Sequence, residues 1–84
     1  MEKILCYEIS AEYLEVAGDK LIEIINKRLE DKKIKNVIVN TFTLTEDVGD
    51  LIIDYHFSNA TEDILKKYIE EILLRFNISF DYSN

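Results

Sequence analysis

The chain has 84 residues, with 10 Lys and Arg against 17 Asp and Glu, for a formal net charge of −7. That length holds one domain, the hydrophobic content of 48% is that of a globular chain and not a disordered one, and the negative charge disfavours direct binding to nucleic-acid phosphates. A single cysteine, Cys6, excludes an intrachain disulfide framework; with no basic-then-apolar leader pattern and no apolar run near the ~20 residues of a bilayer span, a cytoplasmic protein without membrane contact is expected.

Residues 3–9 are β-prone and apolar-rich and predict a first strand, with Leu5, Tyr7 and Ile9 on one face and Ile4, Cys6 and Glu8 on the other. Ser10 is placed to cap a helix over about 11–32, in which Leu14, Ala17, Leu21, Ile25 and Leu29 recur at spacings of three and four. Acidic residues open this helix and Lys27, Arg28, Lys32 and Lys33 close it, the order that suits the helix dipole. Gly18 is its weak point, costing about 1 kcal/mol relative to Ala, but the periodicity favours a continuous helix.

Residues 34–44 predict a second strand, and Thr45–Asp50, polar with one glycine, a hairpin loop. Residues 51–58 predict a third strand, with Leu51, Ile53, Tyr55 and Phe57 alternating against Ile52, Asp54, His56 and Ser58. Asn59 with Glu62 three residues on resembles a capping box and predicts a second helix over about 60–76. Residues 77–82 then predict a fourth strand, with Ile78, Phe80 and Tyr82 on one face.

The order β-α-β-β-α-β predicts a ferredoxin-like α+β two-layer sandwich: a four-stranded antiparallel sheet, strands one and three central, with both helices on one face. The covered face takes Leu5, Tyr7, Ile9, Val37, Val39, Leu51, Ile53, Tyr55, Phe57, Ile78, Phe80 and Tyr82. The open face takes Ile4, Cys6, Glu8, Asn36, Ile38, Asn40, Ile52, Asp54, His56, Ser79 and Asp81. Three isoleucines among acids make that second face a candidate contact surface.

Chemistry is sparse. Cys6 and His56, with Glu8, Asp54 and Asp81 on the same predicted face, supply the residue types of a thiol nucleophile with its base, or of a metal site, but a flat sheet gives neither a pocket nor oxyanion donors. Tyr7, Tyr55 and Phe57 alternate with the polar positions, so they belong to the core and not to a base-stacking platform for RNA. With two glycines and one cysteine, the chain has neither a glycine-rich phosphate loop nor a Cys-x-x-Cys pair. No catalytic residue, metal or cofactor is expected.

Charge is the remaining signal. Residues 27–35 carry a local excess of basic groups, so the rest of the chain is more acidic than the total suggests. Carboxylates at suitable spacing imitate nucleic-acid phosphates and occupy the protein that binds them, as small acidic proteins of phages do against host defence enzymes. The expected function is a non-enzymatic interaction module that inhibits a basic or nucleic-acid-binding protein. Its expected contacts are Glu8, Glu46, Asp47, Asp50, Asp54 and Asp81, with Ile4, Ile38, Ile52 and His56 on the open sheet. The alternative is a homodimer paired through the open face, holding a small ligand or serving as a structural subunit.

Overall fold

The computed structural model describes residues 2–83. The chain runs β1 (Ile4–Ser10), α1 (Ala11–Asp31), β2 (Ile38–Thr43), β3 (Val48–Asp54), α2 (Glu62–Arg75) and β4 (Phe80–Ser83). It is an α+β sandwich, a four-stranded sheet in the order β2-β3-β1-β4 with every neighbouring pair antiparallel. Both helices supply residues to a single core against one sheet face, built on Leu5, Tyr7, Ile9, Leu51 and Ile53 from the strands, Leu14, Leu21, Ile25 and Leu29 from α1, and Leu65, Ile69, Ile72 and Leu73 from α2.

The helices start where side chains meet otherwise unpaired amides. The Ser10 hydroxyl accepts from the Tyr13 amide at 3.4 Å. Helix α2 is capped by Thr61, whose Oγ1 accepts from the Ile64 amide at 3.4 Å, and not by Asn59. Asn59 has another task. Its Oδ1 accepts from the Lys35 amide and its Nδ2 donates to the Lys33 carbonyl, tying the α1–β2 connection to the segment before α2.

Helix α1 is continuous through Gly18, which is buried where the expected stripe had Ala17. A Cβ at Gly18 would lie 3.4 Å from Thr41 Oγ1, so the glycine lets α1 sit close over β2. Gly49 lies in β3 and not in the hairpin loop, and it is needed for the same reason: a Cβ there would meet Leu14 Cδ1 at 2.5 Å and the Phe42 carbonyl oxygen at 2.6 Å. The hairpin loop is shorter than expected, Leu44–Asp47, and is held by Thr45 Oγ1, which accepts from the Asp47 and Val48 amides.

Strands β2 and β4 begin later than the residues 34 and 77 expected from sequence; a helix-ending turn contributes to both delays, and a second left-handed residue, Asn36 (φ 61°), delays β2 further. Each helix ends in a Schellman turn. After α1, Lys33 is left-handed (φ 58°), and the amides of Lys33 and Ile34 donate to the carbonyls of Glu30 and Leu29. After α2, Asn77 is left-handed (φ 56°), and the amides of Asn77 and Ile78 donate to Leu74 and Leu73. Ile34 and Ile78 then fold back onto the core.

Strand β3 ends at Asp54, not Ser58. The Asp54 carboxylate accepts from the His56 amide at 3.0 Å, and the Ser58 amide donates to the Tyr55 carbonyl, which makes residues 55–58 a turn. Phe57, expected in the core, is therefore 81% exposed, whereas Tyr55 stays buried. Val37, Phe80 and Tyr82 are half-buried at the margin of the core.

Candidate functional site: the open face of the sheet

Residues that alternate with the core positions line the uncovered face, and strand register sets their rows. One row runs Ile38–Asp54–Ile4 across β2, β3 and β1. The next is Asn40–Ile52–Cys6–Ser83. The third is Phe42–Asp50–Glu8–Asp81, with the three carboxylates directly opposite one another on β3, β1 and β4. Directly paired positions in antiparallel strands lie roughly 4.5–5.5 Å apart, so like charges there repel.

None of the four strands contains a Lys or Arg. Lys3 directly precedes β1, and every other basic residue lies in a helix or a connection. The ion pairs among the described residues, Lys20–Glu23 at 3.6 Å and Arg28–Glu71 at 3.7 Å, are both helical. The carboxylates of Glu8, Asp50, Asp54 and Asp81 thus share a face without a strand-borne cation to compensate them.

The face has two unlike ends. Toward the β2–β3 hairpin lie Asp50, Glu8 and Asp81, joined by Asp47, which lines a shallow hollow of about 250 Å³ with Glu8 and Asp81. Asp47 is fixed by its backbone, since its carbonyl accepts from the Ala11 amide at 3.0 Å. Glu46 is exposed at the loop tip. At the opposite end, Ile4 (45% exposed) and Ile38 (59% exposed) flank Asp54. Beside them a hollow is lined by Asn36, Ile38, Asp54, His56 and Phe57. His56 stands edge-on to the Phe57 ring at 4.5 Å, and its buried Nδ1 has no hydrogen-bond partner among the described residues.

The residues considered for thiol chemistry are separated. Cys6 faces Ile52 in the middle row, whereas His56 lies four residues past Ile52, in the turn beyond the strand. Burial pushes the Cys6 thiol above its ordinary pKa, and the nearby negative charges of Asp50 and Glu8 raise it further. That environment holds the sulfur as a thiol, the opposite of nucleophile activation. Among the described residues, no group of three or more His, Cys, Asp and Glu is arranged to hold a metal ion.

Three site residues differ from expectation. Asp50, assigned to the hairpin loop, is a strand residue within the acidic row. Ile52 is half-buried between Asn40 and Cys6, less available than Ile4 or Ile38. Phe42, 50% exposed at the end of the acidic row, was assigned to neither face, although two-residue alternation from Ile38 and Asn40 points to it.

The covered face has its own polar chemistry. Tyr7, fully buried, donates from its hydroxyl to Glu70 Oε2 at 2.9 Å, and Tyr82 donates to Glu62 Oε1 at 2.9 Å. The Tyr7 ring packs on Phe80 and Tyr82 at centroid distances of 5.4 and 5.2 Å. Burial and the Glu70 carboxylate push the Tyr7 phenol far up; burial and Glu62 push Tyr82 up to about 12. These tyrosines join sheet to helix and do not reach the open face.

No protein-family model matches the chain, and no curated protein matches its sequence. No helix among the described residues is long and apolar enough to cross a membrane.

Proposed function

We propose that this chain is a ferredoxin-like domain acting as a cytoplasmic, non-enzymatic interaction module that inhibits a basic or nucleic-acid-binding protein. The ferredoxin-like reading is supported by the element order β-α-β-β-α-β and the strand order β2-β3-β1-β4. The observation that carries the function is the row Asp50–Glu8–Asp81, on a face whose strands hold no cation. Like charges directly opposite one another cost stability, and a basic partner relieves that repulsion on binding. Acidic positions whose Cα atoms stand roughly 5 Å apart in a row give a line of charge on the scale of a nucleic-acid strand, which carries one phosphate per ~3.4 Å of axis. Ile4, Ile38 and Phe57 at the other end offer apolar contact to the same partner. A role in blocking host defence enzymes, as for small acidic phage proteins, is the sharpest form of this reading. The raised thiol of Cys6 supports a function without covalent catalysis.

The test is capture from lysate at low and high salt, with wild type beside a Glu8→Gln, Asp50→Asn, Asp81→Asn triple variant. The proposal expects a stoichiometric basic partner that is lost at high salt and bound about tenfold or more weakly by the variant. Equal capture by both proteins overturns it.

A further inference from the structure

The sheet has two edges, and only one is guarded. Strand β4 is four residues long and carries Asp81. Strand β2, Ile38–Thr43, reads IVNTFT: no charge, no proline, no glycine, and four β-branched residues. Among the described residues its only sheet neighbour is β3. Edge strands usually carry charge, proline or a bulge because unpaired backbone groups template further pairing.

The ladder shows which groups are free. The Leu44 amide donates to the Val48 carbonyl. Antiparallel alternation then turns the backbone groups of Phe42, Asn40 and Ile38 toward β3 and leaves those of Val39, Thr41 and Thr43 pointing outward.

We infer that β2 is a dimerisation edge, pairing antiparallel with β2 of a second copy about a two-fold axis at Asn40, so that two sheets join into one continuous sheet. In this register Val39 meets the second copy's Thr41 twice over, each pair exchanging both N–H···O bonds through the outward-facing groups. On the open face Ile38 lies opposite the second copy's Phe42, and the Asn40 side-chain amides face each other across the axis. Exposed apolar meets exposed apolar and amide meets amide, the self-complementarity that a two-fold interface requires. A register centred on Thr41 satisfies the same backbone groups but sets Asn40 against Phe42. No charged side chain on β2 opposes the approach. This edge-to-edge pairing leaves the open face uncovered and repeats its acidic row in each copy, so it stands whether or not that face binds a basic partner.

The test is the solution mass together with amide hydrogen exchange over a concentration series. Wild type should show about twice the 9.9 kDa chain mass, with the Val39 and Thr41 amides protected only as the dimer forms. Thr41→Pro removes an outward N–H that β3 does not use, and Asn40→Lys places like charges across the axis; each should weaken the dimer at least tenfold. Asn40 is exposed, so its variant keeps the test valid should the proline disturb the strand. Ile4→Glu, on the open face away from this edge, should leave the dimer intact. A monomeric wild type at high micromolar concentration, or a dimer in which the Val39 and Thr41 amides exchange freely, overturns the inference.

Discussion

The two faces of this sheet are built from the same strands by alternation, yet they differ in every physical respect. The helix side is apolar and closed, and its buried phenol, Tyr7, is hydrogen-bonded to Glu70. The open side holds four carboxylates without a strand-borne cation, and its isoleucines are exposed or half-buried. The covered face makes stability. The open face leaves charge repulsion in place, a local cost of the kind the proposed binding role would account for.

The largest expected contrast comes from truncating one residue on each side. Leu51→Ala should lower unfolding free energy by about 2–5 kcal/mol, because Leu51 is fully buried and leaves a cavity. Ile4→Ala, on the open face, should cost no more than about 1 kcal/mol. Denaturant titration of both variants measures the difference, and equal losses would erase it. Next comes the close approach of α1 to the sheet. Gly49→Ala forces both the Leu14 side chain and the Phe42 backbone to move and should cost roughly 1–3 kcal/mol by the same assay.

The tyrosines give the covered face a pH signature. Their phenols are raised in the fold above an unfolded value of about 10, so the neutral form is the one the native state favours. The stability tied to them is fully present below about pH 10 and is lost as pH climbs through the folded value, about 12 for Tyr82 and higher for Tyr7. Denaturation midpoints measured at rising pH should fall beyond pH ~10, while Tyr7→Phe, which costs about 1 kcal/mol at neutral pH, should fall less steeply. A midpoint independent of alkali would contradict the burial of Tyr7.

The smallest effect has the opposite sign. Glu8→Gln removes the middle charge of the acidic row and should raise stability by about 0.2–1 kcal/mol at low salt, with the gain shrinking as salt screens the row. A loss of stability would mean that Glu8 has a structural partner.

Much of this was legible in the sequence because parity and period are local properties. The inward set Leu5, Tyr7, Ile9, Leu51, Ile53 and the Ser10 cap follow from alternation and capping chemistry alone. What was missed depends on contacts made at a distance or on unusual residues in familiar turns. Lys33 and Asn77 occupy left-handed positions where glycine is the usual signal, so the strand starts were misplaced. Asp54 ends β3 by capping a turn, which alternation through Tyr55 and Phe57 conceals. Gly49 reads as a loop glycine until Leu14 is seen above it. The acidic row is the clearest case: Glu8, Asp50 and Asp81 are far apart in the chain, and only strand register aligns them.

The most direct test of the proposed binding face is amide chemical-shift mapping during titration with a lysine-rich peptide at low ionic strength. Shifts centred on Glu8, Asp47, Asp50 and Asp81, and abolished by salt, are the predicted result. Shifts centred on Glu62, Asp63, Glu70 and Glu71 of α2 would place the attractive charge on the helical layer and contradict the account.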